Sequence, residues 1–273
     1  MSPGKNTKFY QALRCERGKF QDTSLELIGE EPFLIRVNDK PYSVVMRTPG
    51  DEAAHAVGFC LAEGIVDAYE DIRTIGYDSN LDPNVIDIWL TPQRNESVQN
   101  VLERRGFVSQ TSCGICGKEL IKDLEQILKP AEDNFHIEIN RVFDCINKLS
   151  ENQNYYQTTK GSHAAIMFDE HLKMIAFAED VGRHNALDKA IGKSFVNQTL
   201  KQASVLVLSS RISYELVQKA ARAGIPVMIS HSRPTALAAE MGRSLNMTLA
   251  CPSGDAELLV VSSPDRIVKQ KFD

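Results

Sequence analysis

Two cysteines, Cys113 and Cys116, are separated by two residues in a loop rich in serine, threonine and glycine. Pairs with this spacing serve zinc binding, thiol–disulfide exchange or persulfide chemistry. A closed zinc site needs two more ligands, and His136 and Cys145 follow at a spacing that fits no common ribbon or finger. A chain of 273 residues also differs from a small thioredoxin-like domain. The spacing alone leaves these uses open.

The surroundings of the pair favour a reactive thiolate. Cys116 comes just before KELIKDLEQILK, whose apolar residues recur at helical spacing. The start of a helix and nearby cations both lower the pKa of a thiol, and Arg104, Arg105 and Lys118 are close in sequence. Gly114 and Gly117 predict a mobile loop over residues 111–118. A thiolate on such a loop could reach into the active site of a partner.

Three strand-to-helix junctions in the second half of the chain carry arginine beside hydroxyl or amide groups. Junctions at the carboxyl ends of strands in an open α/β sheet are the usual place for ligands. Arginine forks and free helix N–H groups both suit phosphate. The sequence therefore predicts an anionic ligand, although Ser213 and Thr235 also fit as simple helix caps. The candidate contacts are Arg183, His184, Asn185, Ser209 and Arg211, with Arg233 as a weaker member.

The elements that position these junctions alternate in type. Strand-like AAIMF, KMIAFA, SVLVLS and PVMIS are interleaved with helical HNALDKAIGK, YELVQKAARAG and TALAAEMGRSL, and MTLAC and ELLVVS close the chain. This alternation predicts a mostly parallel sheet covered by helices. We expect an α/β protein with a mixed N-terminal part over residues 1–110, the cysteine loop at 111–118, and a C-terminal α/β domain over 119–273.

The first half mixes strands and helices. FLIRV and YSVVMR flank a turn and predict a hairpin, and EAAHAVGFCLAEG predicts a helix that stops at Gly64. DIRTIGY and VIDIWL are strand-like, and ESVQNVLERR and IEINRVFDCINKLSENQ are helical. Cys60 and Cys145 lie among apolar neighbours at helical spacing, so we expect small buried side chains there.

Composition excludes several classes of protein. The formal net charge of −5 disfavours a nucleic-acid partner. Neither a signal-like apolar segment nor a stretch of 18 apolar residues occurs, so we expect a cytoplasmic protein with free thiols and no membrane contact. A zinc deaminase needs His-x-Glu before its cysteines, whereas this chain has His184-Asn185-Ala186 after them. We expect no metal ligands and no permanently bound cofactor.

Taken together, these segments resemble the FdhD family of formate dehydrogenase accessory sulfurtransferases. The resemblance covers nearly the whole chain, and its most specific segments are TSCGICG and EDVGRHNALDKAIG. Further matching segments are EEPFLIRVN, PGDEAAHAVGFCLAEGIV, GSHAAIMF, SSRISYELVQKAARAGIPV and PTALAAEMGRSLNMTL.

The resemblance implies a function. Such proteins accept sulfur from an IscS-like cysteine desulfurase as a cysteine persulfide. They pass it to the bis(molybdopterin guanine dinucleotide) form of the molybdenum cofactor, which the formate dehydrogenase apoprotein then uses. It also implies a cytidine-deaminase-like, three-layer C-terminal fold and a homodimer. By motif match, Cys113 is the persulfide carrier and Cys116 its partner.

One segment departs from the family pattern. Residues 251–256 stand where relatives carry two cofactor-binding arginines around a glycine, and only Gly254 is retained. Two rival functions remain, a chaperone that holds the cofactor without transferring sulfur, and a structural zinc protein.

Overall fold

The computed structural model describes residues 6–78, 80–104, 128–132, 134–254 and 256–269, and it has the mixed α/β architecture expected from the sequence. The strands are β1 (Thr7–Glu16), β2 (Lys19–Ile28), β3 (Glu31–Val37), β4 (Lys40–Arg47), β5 (Ile72–Gly76), β6 (Val85–Leu90), β7 (Ile137–Glu138), β8 (His163–Phe168), β9 (Met174–Asp180), β10 (Val205–Leu208), β11 (Val227–Ser230), β12 (Thr248–Pro252), β13 (Leu258–Ser262) and β14 (Ile267–Val268). The described α-helices are α1 (Glu52–Ala62), α2 (Pro92–Ser97), α3 (Gln99–Arg104), α4 (Ile139–Asn152), α5 (Asn154–Thr159), α6 (Arg183–Val196), α7 (Tyr214–Arg222) and α8 (Ala236–Ser244).

The second half of the chain forms a six-stranded sheet in the order β13-β12-β11-β10-β8-β9. The β10–β11 and β11–β12 pairs are parallel, and the other three pairs are antiparallel. The expectation of a mostly parallel sheet was therefore wrong. Only five residues separate β8 from β9, which is too few for the crossover that parallel neighbours require.

The first half contributes a four-stranded sheet in the order β4-β3-β6-β5. The predicted hairpin is β3–β4, and its turn residues Asn38 and Asp39 both adopt positive φ angles, as asparagine and aspartate tolerate well. Helix α1 follows, and Gly64 just beyond it has a φ of 76°, the left-handed conformation that commonly stops a helix.

Helices α1 and α6 pack against each other at unusually short range. A Cβ atom added at Gly58 would lie 1.9 Å from the Asp188 carbonyl oxygen, and one at Gly192 would lie 1.7 Å from the Ala54 carbonyl oxygen. Both sides of this crossing contribute to one hydrophobic cluster, which includes Phe33 and Ile86 from the first half as well as Leu206 from the second. The division of the chain into two domains remains a prediction.

Most of the remaining predicted helices are present in the structure. Helices α4, α6, α7 and α8 occur where apolar spacing predicted them, and ESVQNVLERR forms two short helices in place of one. KELIKDLEQILK lies almost wholly outside the described residues. Cys60 and Cys145 are buried as expected, and burial raises the pKa of the Cys145 thiol to about 11. No helix in the described parts of the chain is long and apolar enough to cross a membrane.

Candidate functional site

One edge of the six-stranded sheet gathers the three arginine-bearing junctions. β10 and β11 are parallel and end there, and β8 runs the opposite way, so it begins there. The β8–β9 register sets His163 opposite Asp180, which brings the end of β9 to the same edge. Main-chain bonds join the neighbouring junctions, with His231 N donating to Leu208 O at 3.2 Å and Thr235 N donating to Ile212 O at 3.0 Å.

Asp180 fixes the path of the first junction. This fully buried carboxylate accepts hydrogen bonds from Gly182 N at 2.8 Å, Thr48 N at 3.1 Å and Asn185 Nδ2 at 2.9 Å. It also pairs with Lys189, whose Nζ lies 2.7 Å from Asp180 Oδ2. Four donors around one carboxylate satisfy the charge that burial would otherwise make costly.

Asn185 lies inside this network. Its Nδ2 donates to Met46 O at 2.7 Å as well as to Asp180. Both amide hydrogens are thus committed to the protein, and the residue is 8% exposed. These two hydrogen bonds hold the junction in place, whereas the sequence predicts that Asn185 contacts the ligand directly. The cofactor-binding role of Asn185 stays a prediction.

Arg183 and His184 open helix α6 at the rim of the same edge, and both are half-buried. His184 Nε2 lies 2.7 Å from Glu215 Oε2. The neighbouring imidazole of His184 lowers the pKa of Glu215. Glu215 thereby orients the imidazole from the first turn of α7. No local pattern points to this partner, because a glutamate in a first helical turn usually serves the helix dipole.

His163 is a candidate site residue that sequence reasoning did not single out. Its Nδ1 lies 3.4 Å from Ser209 Oγ, and Ser209 Oγ accepts a hydrogen bond from Ala164 N at 2.8 Å. Burial lowers the pKa of His163, and the neighbouring Arg183 and His184 lower it further. A lone histidine at the start of an apolar strand carries no local signal, and only the strand register brings it to this edge.

The remaining junction residues divide between structural and exposed positions. Thr235 caps α8, accepting a hydrogen bond from Ala238 N at 3.2 Å, whereas Ser213 precedes α7 without a side-chain cap. Arg211 and Arg233 are exposed. Within the described ranges, neither of these arginines nor Arg183 has a carboxylate at ion-pair distance.

The backbone at the start of α6 adds further donors. The first hydrogen bond there runs from Ala186 N to Gly182 O at 2.9 Å, so the preceding helical N–H groups have no partner within the helix. The first turn contains no acidic residue. With arginines around it and the positive end of a 14-residue helix beneath it, this edge has the chemistry of an anion site.

Gly254 lies in the connection from β12 to β13, and it is exposed. A Cβ there would meet nothing closer than 4.0 Å. Cys251, at the end of β12, is buried, and burial raises its pKa although Arg233 opposes that shift. Cys113 and Cys116 lie outside the described residues. Among the described residues, no group of histidine, cysteine and acidic side chains could hold a metal ion.

Comparison with known proteins agrees with this architecture. Residues 28–268 match the sequence model of the FdhD/NarQ family. The sulfur carrier protein FdhD of Streptomyces coelicolor is 33% identical over 274 residues, covering 97% of this chain and 96% of the relative. The protein of the same description from Mycobacterium tuberculosis is 37% identical over 253 residues, with coverages of 88% and 91%. A crystal structure of a formate dehydrogenase accessory protein from Desulfotalea psychrophila shares the fold, with a TM-score of 0.77, 20% identity and coverages of 96% and 100%.

Proposed function

The chain belongs to the FdhD/NarQ family, and from this premise we propose that it carries sulfur for the maturation of formate dehydrogenase. The curated relatives that are described as sulfur carrier proteins align with this chain over nearly their whole length. The observation that carries the proposal is this family match over residues 28–268, which include the Cys113 and Cys116 pair.

Cys113 receives the sulfur in the proposed first step. Its thiolate attacks the outer sulfur of a persulfide on a cysteine desulfurase. The sulfur–sulfur bond of the donor breaks, the desulfurase leaves as a thiolate, and a persulfide forms on Cys113. The reaction exchanges one thiolate for another and needs no oxidant. Cys116 assists release, because a neighbouring thiolate can form a disulfide with Cys113 as the outer sulfur departs.

The acceptor is the bis(molybdopterin guanine dinucleotide) form of the molybdenum cofactor, bound as a substrate. Its diphosphate groups suit the anion site at the edge of the six-stranded sheet. Arg183 and the free N–H groups of α6 meet phosphate, and Ser209 and His163 supply further polar contacts. Arg211 adds positive charge, and Arg233 is a weaker candidate for the same role. Asp180 and Asn185 keep Arg183 and His184 in place.

Residues 251–256 modify this site. The arginines implied by the family resemblance are absent, one acidic residue, Asp255, is present, and Gly254 is the position retained. We therefore expect weaker affinity for the dinucleotide, with the sulfur chemistry unchanged. The protein acts in the cytoplasm as a homodimer, and its partners are an IscS-like desulfurase and the formate dehydrogenase apoprotein.

The proposal is tested by formate dehydrogenase activity in cells that lack the native accessory protein and receive this chain. Wild type restores activity, and Cys113→Ser does not. Cys15→Ser is the matched control, because Cys15 is exposed and far from the pair in sequence. Full activity with Cys113→Ser would favour the chaperone function, and about one zinc per chain, lost with both cysteines, would favour the structural zinc function.

A further inference from the structure

The N-terminal hairpin β1–β2 has the features of an incomplete sheet. Ten consecutive residue pairs join the strands without a bulge, from Thr7 opposite Ile28 to Glu16 opposite Lys19. Among the described residues, no third strand pairs with either of them. A two-stranded ribbon alone is marginally stable in water. Six large apolar side chains on it are at least two-fifths exposed: Phe9, Tyr10, Leu13, Phe20, Leu25 and Leu27.

These side chains lie on both faces of the ribbon. Phe9, Leu13 and Phe20 share one face, and Tyr10, Leu25 and Leu27 share the other, as the register requires. No single surface packed against one face would cover them all. Extension of the sheet at its edge, by contrast, gives both faces new neighbours at the same time.

Among the described residues, no strand pairs with the outer edge of β1. Helix α5 lies against the base of β2, where a Cβ at Gly161 would come 3.1 Å from Ile28 Cγ2. Soluble proteins protect an exposed edge with charged side chains, proline, a bulge or a short strand. β1 has ten residues, no proline, no glycine and no bulge. The charged side chains of β1, Lys8, Arg14 and Glu16, lie towards its two ends, so an edge of this length can still act as a template for another strand.

We propose that the partner strand is β1 of a second copy, paired antiparallel about a two-fold axis at Ala12, which makes a four-stranded sheet. This inference rests on the homodimer proposed above and assigns its interface. Directly opposite residues of an antiparallel pair point to the same face of the sheet. A two-fold axis between two identical strands must therefore pass between a residue and its own copy. The next possible register moves this axis by one residue along the strand.

Charge selects Ala12 among these positions. An axis at Ala12 sets Lys8 opposite Glu16 of the second copy, and Tyr10 opposite Arg14, and each pair occurs twice. Opposite charges and cation–aromatic pairs across strands are both favourable. An axis at Gln11 instead sets Lys8 against Arg14, and an axis at Leu13 leaves Lys8 beyond the paired strand.

The cysteine chemistry of the strand gives a direct test of the register. In Ala12→Cys with Cys15→Ser, two thiols meet on the axis at a spacing that a disulfide can span. In wild type, the two Cys15 thiols lie six positions apart along the paired strands, roughly 20 Å. Under mild oxidation, we expect a 12–12 disulfide in the variant, identified by peptide mapping, and no 15–15 disulfide in wild type.

Charge variants and light scattering supply the second measurement on the full-length chain. Lys8→Glu should raise the dimer dissociation constant roughly tenfold, since two like-charged pairs replace two attractive ones. The double variant Lys8→Glu with Glu16→Lys should return it toward the wild-type value. A dimer with no 12–12 disulfide and no response to Lys8→Glu would overturn the proposal, and so would a monomer at tens of micromolar. Neither readout depends on sulfur transfer, so failure of the interface and failure of the carrier function are distinguishable.

Discussion

Asp180 and Lys189 form an ion pair that is buried on both sides, with 2.7 Å between Nζ and Oδ2. Asp180 ends β9 and Lys189 lies on α6, and Lys189 Nζ also donates to Thr48 O at 2.7 Å. Thr48 follows β4, so the pair connects the two halves of the chain immediately behind Arg183 and His184. The proposed anion site therefore depends on a buried charge network for its shape.

Asp180→Asn should destabilise the protein by about 3 kcal/mol, because Lys189 would be left as an uncompensated buried charge. Chemical denaturation measures this loss as a lower free energy of unfolding. Asp51→Asn is the matched control, since Asp51 also pairs with a lysine of α6, Lys193, but in partial exposure. Its cost should stay below about 1 kcal/mol. Equal costs for the two variants would mean that burial does not distinguish these pairs.

Gly58→Ala should prevent α1 and α6 from packing as they do. The added Cβ would lie 1.9 Å from the Asp188 carbonyl oxygen, and backbone cannot yield as a flexible side chain can. We expect a loss of at least about 3 kcal/mol in the free energy of unfolding, or failure to fold. Gly254→Ala has open space around it and should change stability by less than about 0.5 kcal/mol. Tolerance of alanine at Gly58 would contradict the close helix crossing.

His163 should titrate below 6.5, the ordinary value for histidine, because burial lowers its pKa and the neighbouring Arg183 and His184 lower it further. A histidine with a lowered pKa is neutral in the folded state but charges on unfolding, so its contribution makes stability fall as pH drops below 6.5. Nuclear magnetic resonance of the imidazole measures the midpoint. Arg183→Gln should raise it, and Arg141→Gln should leave it unchanged, because Arg141 lies beside the β8–β9 turn at the other end of β8. An unaltered midpoint in Arg183→Gln would show that Arg183 does not influence the pKa of His163.

Arg183→Gln should weaken binding of guanosine diphosphate, used as a probe for the dinucleotide, roughly tenfold, in line with loss of a charge-assisted contact. Calorimetry at two salt concentrations measures the affinity, and the loss should be larger at low salt. Arg141→Gln again serves as the control. Equal affinities for both variants would move the phosphate site away from the start of α6.

Local patterns predicted most elements and their junctions. Alternating strands and helices specified where β10, β11, α6 and α7 lie, and strand ends placed Arg183 and Ser209 at one edge. The order of the strands in the sheet could not be predicted from these patterns. Two apolar segments look the same in sequence whether they form an antiparallel pair, as β8 and β9 do, or parallel strands joined by a crossover. His163 and Glu215 reach the site only through that order. The β1–β2 hairpin escaped prediction because its apolar residues face both sides and so do not alternate with polar ones.

Peptide mass spectrometry measures whether Cys113 carries sulfur. The chain is incubated with a cysteine desulfurase and cysteine, then digested without reductant. We predict a gain of one sulfur atom on the peptide that contains Cys113, removed by reductant, absent in Cys113→Ser and retained in Cys15→Ser. No gain on Cys113 or Cys116 with an active desulfurase would contradict the carrier function.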